Sequence, residues 1–337
     1  MIYFNRIEKM PPERCRCPVH SMSDCLDILL LCNIKVKFRW GISRRADERI
    51  LYGRIMAVII DGTKTSQDVR DEIREEALRL KDDRGVVPGL AVILVGDDPA
   101  SHIYVARKEK ACAEVGFLSR EYKLPGGTGE AQILDIIRQL NADDTIHGIL
   151  VQLPLPRHIN PDLIINAIDP KKDVDGFHPL NVGRLLTGSP FHTSCTPSGI
   201  LELLDRYEID IQGREAVIVG RSTIVGKPLA LLLLARHATV TICHTRTRDL
   251  PEATRRAEIL VAAAGNPGMI TGGMVRDGAV VIDVGINRLD TGKLAGDVVF
   301  DQVSRKASHI TPVPGGVGPM TIAMLLKNTL HAAKNLM

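Results

Sequence analysis

The sequence predicts an α/β fold: two α/β domains with a cleft between them, the second a Rossmann-like doubly wound parallel sheet. Three observations predict it. The stretch VIVGRSTIVGKP, residues 217–228, runs from an apolar strand through a glycine-bearing turn into a helix start. Short apolar strands then recur between helical stretches: ATVTICH at 238–244, EILVAAAG at 258–265 and AVVIDVG at 279–285. Hydrophobic residues make up 45% of the 337 residues and aromatics only 4%. That balance suits an aliphatic α/β protein, and the length suffices for two cores.

The elements of the first half follow in order. A helix is expected from residue 66, with Ser66 as cap and Val69, Ile73, Ala77 and Leu80 along one stripe. LAVILVG at 90–96 reads as a fully buried strand. Ser101 is placed to cap a helix that stops at Gly116. GEAQILDIIRQLNAD at 129–143 is amphipathic, with Ile133, Ile136, Ile137 and Leu140 turned inward. HGILVQLPLP at 147–156 is a strand ended by prolines. This half alternates strand and helix without a phosphate-binding turn, which fits a substrate domain. There are no internal repeats.

In the second half, the turn after the 217–219 strand places backbone N–H groups and the positive end of a helix dipole against a phosphate. Its glycines are Gly220 and Gly226, with Ser222 where the GxGxxG fingerprint has its second glycine. NAD-binding turns usually carry an acid about 20 residues later to hold the ribose 2′-hydroxyl. Here the chain reads His244, Thr245, Arg246, Thr247, Arg248, with no carboxylate before Asp249. Hydroxyls and guanidinium groups bind a 2′-phosphate that a carboxylate would repel. The segment reads as an NADP site, the alternative being a solvated basic loop.

Bulk properties exclude other classes. A net charge of +3 is too small for a nucleic-acid binder, and the excess is local: residues 1–55 hold eleven Lys/Arg against six Asp/Glu, the remainder 32 against 34. No run reaches the roughly 18 apolar residues of a membrane helix; LDILLLC at 26–32 is too short. Four of the seven cysteines (Cys15, Cys17, Cys25, Cys32) crowd the first segment, and Cys112, Cys195 and Cys243 are scattered. Nothing resembles a disulfide framework or paired metal knuckles, so a reducing, cytoplasmic setting is expected and no metal. The RCRC run with His20 is a weak metal signal. Acids at Glu8, Glu13, Asp24 and Asp27 interrupt any transit-peptide pattern, and Met56 opens MAVIIDGTKTSQDV like a natural start. Residues 1–55 are therefore read as an extension outside the folded enzyme.

Candidate chemistry lies on the 101–115 helix. Ser101, Tyr104 and Lys108 share one face. A tyrosine one turn from a lysine suits ring stacking beside a charged group or proton transfer, although such pairs also occur by chance. Gln152 sits in an apolar strand, where its amide must find partners or cost roughly 1–3 kcal/mol. KDVDG, 172–176, puts Asp173 and Asp175 in a turn-prone loop ending in glycine, where the alternative reading of Asp175 is a turn-former.

Taken together, SHIYVARKEKACAEVGF (101–117), HGILVQLPLP (147–156), KDVDGFHP (172–179), CTPSGILELL (195–204), VIVGRSTIVGKP (217–228), VIDVGIN (281–287) and TPVPGGVGPMT (311–321) closely resemble one family. It is that of the bifunctional methylenetetrahydrofolate dehydrogenase/methenyltetrahydrofolate cyclohydrolase enzymes, FolD-like. The resemblance covers essentially all of 57–337, and residues 1–55 have no counterpart in it. It implies that Lys108 is the catalytic lysine and Gln152 the glutamine that hydrogen-bonds and tunes it. Tyr104 would stack on the folate and Asp175 anchor its pterin ring, with Ser101, Pro314, Gly315 and Gly318 also on the substrate side. Gly220, Arg221 and Ser222 would form the NADP phosphate turn, and Thr245 and Arg246 would lie near the 2′-phosphate. Ile286 would face the nicotinamide, and Thr321 would border both ligands.

The resemblance further implies oxidation of 5,10-methylenetetrahydrofolate with NADP, then hydrolysis to 10-formyltetrahydrofolate, in a homodimer. It implies a folate-binding domain at 56–195, with helix 318–337 packing back on it, and a nucleotide domain at 196–317. A lysine near its ordinary pKa is a poor base at neutral pH, so desolvation or a neighbouring cation must lower it, and Gln152 can orient it without adding negative charge. A dehydrogenase of another small metabolite would share the nucleotide turn but need a His or Arg clamp near the glycine loops. A non-catalytic folate- or dinucleotide-binding relative is opposed by the joint presence of Lys108, Gln152 and Asp175. Mass spectrometry of the protein from its natural source is expected to find Met56 at the amino terminus; a mature chain beginning at Met1 refutes that reading.

Overall fold

The computed structural model describes residues 57–336. The cysteine-rich run and the extension read at 1–55 lie outside the described residues. Two parallel sheets organise the rest. The first has three strands in the order β3-β2-β4: β2 (Gly89–Val95) lies between β3 (Leu118–Leu124) and β4 (Gly148–Val151). β2 is buried along its whole length, as its unbroken apolar run predicts for the middle of a parallel sheet covered on both faces. Its register with β4 pairs Ile93 with Val151, and Gln152, the next residue, donates its N–H to Ile93 O at 2.9 Å. The strand therefore delivers Gln152 at the carboxyl end of the sheet.

Three helices flank this sheet: α1 (Gly62–Arg84), α2 (Pro99–Val115) and α3 (Glu130–Ala142). Val69, Ile73, Ala77 and Leu80 are buried on α1 as expected. On α3, Ile133, Ile137 and Leu140 are buried while Ile136 is only half-buried. Both expected serine caps are corrected. The cap of α1 is Asp61, whose carboxylate accepts from Lys64 N at 3.0 Å, and that of α2 is Asp98, which accepts from Ser101 N at 2.8 Å. An aspartate in extended backbone just ahead of Gly62 or of Pro99 starts each helix about a turn earlier, Pro99 losing no N–H that the helix would use. Ser66 lies inside α1 and accepts from Arg70 Nη1 at 2.6 Å.

The second sheet has six parallel strands in the order β1-β11-β8-β7-β5-β6. The strands read from the sequence appear as β5 (Glu215–Val219), β6 (Thr239–Cys243), β7 (Ile259–Ala262) and β8 (Val280–Asp283). Two further strands, β1 (Val58–Ile59) and β11 (His309–Ile310), complete it. β1 precedes α1 in the chain yet pairs with β11 near the other end. A short antiparallel ribbon, β9 (Asn287–Arg288) with β10 (Leu294–Ala295), follows β8.

The remaining helices are α4 (Pro161–Ala167), α5 (Pro179–Leu186), α6 (Cys195–Arg206), α7 (Gly226–Ala235), α8 (Leu250–Arg255), α9 (Phe300–Val303) and α10 (Val317–Asn335). Apolar α10 packs on α1, α6 and α2. Its start is preceded by the 312–316 loop, held by Thr63 N, which donates to Gly315 O at 3.0 Å. A Cβ at Gly62 would meet Gly316 O at 1.8 Å, so this approach needs a bare backbone.

Candidate active site

Lys108 projects from the middle of α2 toward the end of β4. Its ammonium donates to Gln152 Oε1 at 2.9 Å, and Gln152 Nε2 donates in turn to Leu153 O at 2.7 Å. The half-buried amide that the sequence left in need of partners thus has one on each side. Burial pushes the Lys108 pKa down; Asp175, whose negative charge favours the ammonium, opposes this as the next largest influence. Gln152 itself adds no charge, so desolvation has the one carboxylate of Asp175 to outweigh. Burial lifts Asp175 itself to about 6, with Lys108 pulling the other way. Burial likewise raises the thiols of Cys112, to about 12, and Cys195, so both stay neutral beside the lysine.

The two acids of KDVDG separate clearly. Asp173 is buried and is the turn-former: it accepts from Phe177 N at 3.2 Å, His178 N at 2.8 Å and Asn181 Nδ2 at 2.8 Å. Lys172, also buried, donates to the carbonyls of Leu140, Asn141 and Asp143, closing the end of α3. With both neighbours engaged in fold contacts, Asp175 is left half-buried, with Cys195 Sγ at 3.9 Å from its Oδ1. Asn328 of α10 braces this loop by donating to Val174 O at 2.8 Å and Thr193 O at 3.0 Å. No sequence signal distinguished Asn328.

A cleft of about 590 Å³ opens next to α2, lined by Tyr104, Asp283, Ile286, Pro314, Gly315 and Gly318, among others. It joins the α2 face to the ends of β8 and to the 312–318 loop. Lys108, Gln152 and Asp175 do not line it. Two expected residues are engaged elsewhere. Ser101 is buried and its hydroxyl donates to Asp98 at 2.8 Å, while Thr321 shares a hydrogen bond with Thr196 at 2.9 Å. Asp283 and Thr63, which sequence reasoning did not select, do line it.

The nucleotide turn follows β5. Gly220 has φ +134°, and a Cβ there would meet Ala263 O at 2.1 Å; at Gly226 it would meet Gly220 O at 2.2 Å. Only glycine fits this packed turn. Ser222 Oγ accepts from Val225 N at 3.1 Å and Gly226 N at 3.4 Å, folding the turn onto the start of α7. Val219 and Cys243 pair at the ends of β5 and β6, so Arg221 and the 244–247 turn emerge side by side. That turn is closed by His244 N donating to Thr247 Oγ1 at 2.9 Å and Arg246 N to His244 Nδ1 at 3.0 Å, and it leaves Thr245 and Arg246 exposed. Asp249, the first acid of the segment, caps α8 by accepting from Glu252 N at 2.9 Å. The exposed guanidinium groups and hydroxyls, with the nearest carboxylate occupied, fit a dinucleotide bearing a 2′-phosphate.

Two family models cover the chain. Residues 60–175 match the tetrahydrofolate dehydrogenase/cyclohydrolase catalytic domain, and residues 194–337 match its NAD(P)-binding domain. The chain belongs to that family. It is 59% identical over 278 residues to the bifunctional protein FolD of Moorella thermoacetica, spanning 82% of this chain and 99% of that one. A crystal structure of the bifunctional FolD dehydrogenase/cyclohydrolase of Campylobacter jejuni superposes with TM-score 0.82 at 52% identity, covering 83% of this chain and all of that one. The Trypanosoma brucei N5,N10-methylenetetrahydrofolate dehydrogenase-cyclohydrolase, solved with NADP and an inhibitor, gives TM-score 0.80 at 40% identity over 83% and 98% of the two chains.

The Asp175 shift makes a prediction about stability. Its folded pKa of about 6 lies above the ordinary 3.8, so the native state holds its proton more tightly than the unfolded chain does. Stability is therefore lost as pH rises from about 4 to about 6 and stays lowered above that. Asp175→Asn removes this dependence, and its advantage over the parent should grow by about 2 kcal/mol across that window. Melting curves that run parallel from pH 4 to 7 would show a solvated carboxylate.

Proposed function

We propose that the chain oxidises 5,10-methylenetetrahydrofolate with NADP and hydrolyses the resulting 5,10-methenyl cation to 10-formyltetrahydrofolate. The observation that carries this is the Lys108–Gln152 hydrogen bond of 2.9 Å, formed where burial lowers the lysine pKa. When bound, NADP supplies the hydride acceptor. Gly220, Arg221 and Ser222 would hold its pyrophosphate, Thr245 and Arg246 its 2′-phosphate, and Ile286 its nicotinamide side.

The chain's own residues do the rest. Tyr104 supplies a ring face in the cleft, and Asp175 accepts hydrogen bonds from the pterin amino and ring N–H groups. Lys108, depleted of charge by burial, takes a proton from the water that adds to the methenyl carbon and returns it as the ring opens. Gln152 keeps one Nζ–H engaged, fixing where the amine points. The hydrolysis adds one water to the cation and releases one proton. Ser101 and Thr321 act through Asp98 and Thr196, supporting rather than touching the ligands.

We further assign residues 56–195 to a folate-binding domain and 196–317 to a nucleotide domain, a division supported by the two family-model matches and by the two sheets, although β1 joins the second sheet. A second copy of this chain is the proposed partner. β6 is an edge of the six-stranded sheet, with Ile242 38% exposed on it and Leu234 59% exposed on the neighbouring α7. An open strand edge beside apolar side chains is a template for pairing, and pairing with its own copy closes it. Among the described residues no helix is long and apolar enough to cross a membrane, and Cys112, Cys195 and Cys243 are free and buried. Free thiols fit the cytoplasm.

Initial rates with 5,10-methylenetetrahydrofolate should be higher with NADP than with NAD; the reverse order would refute the 2′-phosphate assignment. Lys108→Met should lower hydrolysis of the methenyl substrate by about 10²–10⁴-fold in a folded protein, and full hydrolytic activity would remove the lysine from the mechanism. Ile242→Lys should shift the mass measured by light scattering from dimer toward monomer. A parent chain that already runs as a monomer would dispose of the partner assignment.

A further inference from the structure

Two buried carboxylates lie at the carboxyl end of the six-stranded sheet, outside the catalytic set. Asp297 is completely buried. Its Oδ2 accepts from Ala264 N at 2.6 Å and Gly265 N at 2.9 Å, and its Oδ1 from Asn266 N and Asn287 Nδ2, both at 2.9 Å. Asp283, 4% exposed, accepts from Asp297 N at 2.9 Å and Gly285 N at 3.0 Å through Oδ1, and from Val298 N at 3.0 Å through Oδ2. Its own N–H donates to Thr311 Oγ1 at 2.7 Å. Every one of these donors to the two carboxylates is a neutral amide.

The knot is tightly built. A Cβ on Gly285 would meet Asp297 Oδ1 at 2.4 Å, and one on Gly296 would meet Asp283 Oδ2 at 1.8 Å. Burial lifts Asp283 to about 6, the mark of an anion held without a compensating cation. A buried charge answered by dipoles alone is an expensive way to stabilise a fold, and an apolar contact of similar shape would do as well or better. What the carboxylates provide is direction: together their four oxygens fix seven amides at hydrogen-bond distance.

The segments so fixed are functional ones. Residues 264–266 follow β7, and residues 284–287 follow β8, at the strand ends where ligands bind in doubly wound sheets. Val284, Gly285, Ile286 and Leu294 all line the 590 Å³ cleft. Asp297 therefore ties the end of β7 to the end of β8 and the β9–β10 ribbon, the latter two lining that cleft, without lining it itself.

We propose that Asp297, oriented by Asp283, is a positioning residue for the oxidative half-reaction: it holds the 264–266 and 284–287 segments where the nicotinamide must lie. The proposal rests on the assignment of both activities to this chain. It separates the two steps, because hydrolysis of the methenyl substrate needs Lys108 and Gln152 on α2 and β4 but no nucleotide. A displaced cofactor wall slows hydride transfer and leaves hydrolysis intact.

The test measures both activities of the full chain on Asp297→Asn and on Asn287→Ala, which removes one donor and keeps the carboxylate. Asp297→Asn should lower dehydrogenase kcat/KM for NADP by about a hundredfold, with hydrolysis of 5,10-methenyltetrahydrofolate within about twofold of the parent. Asn287→Ala should lower only the dehydrogenase, by about tenfold, and it decides the matter if Asp297→Asn does not fold. Equal loss of both activities would reduce Asp297 to a fold-stabilising group and overturn the proposal, as would an unchanged dehydrogenase. A parent chain lacking both activities would instead refute the assigned function.

Discussion

The proposed chemistry of this molecule depends on desolvating one amine without pairing it to an acid. Lys108 is half-buried, and its one hydrogen-bond partner among the described residues is the neutral oxygen of Gln152. A carboxylate in that position would stabilise the ammonium and undo what burial accomplishes. Asp175 supplies a weaker version of that pull from further off, and its own rise to about 6 shows that the same dry setting works against both charged forms. The geometry follows from this requirement. The middle of a helix and the end of a central sheet must be held in fixed register so that two side chains meet.

The sequence displayed the parts whose burial is continuous. β2, β4, β7 and β8 are buried at every position, and such strands appear as unbroken apolar runs. β3 is half-exposed and mixes charge with apolar residues, so its period is blurred. β1 and β11 have two residues each and take their meaning from one another across most of the chain; no local window contains that pairing. The caps failed for a related reason. Ser66 and Ser101 are good cap residues by type, but Asp61 and Asp98 stand about a turn earlier, and the earliest competent acceptor starts the helix.

The site was legible as a set of residues and less so as a division of labour. Lys108 and Gln152 meet as expected. KDVDG offered two aspartates and no local criterion for choosing, because the choice depends on Asn181 and on the amides of Phe177 and His178 folding back onto Asp173. Ser101 and Thr321 lie at the right places in the chain, yet their hydroxyls are taken by Asp98 and Thr196. Asn328 and Asp297 were silent in the sequence because most of their partners are backbone groups, which carry no residue identity.

The pairing of β1 with β11 has a consequence for biogenesis. A ribosome releases the chain from the amino end, so β1 emerges with no partner and must wait until nearly everything else has been synthesised. The three-stranded sheet uses nearby segments and can assemble early, whereas the six-stranded one cannot close until residue 310 is free of the exit tunnel. Nascent chains stalled short of that point would expose the Ile310 slot and the apolar flank of β8, the natural target of a holding chaperone.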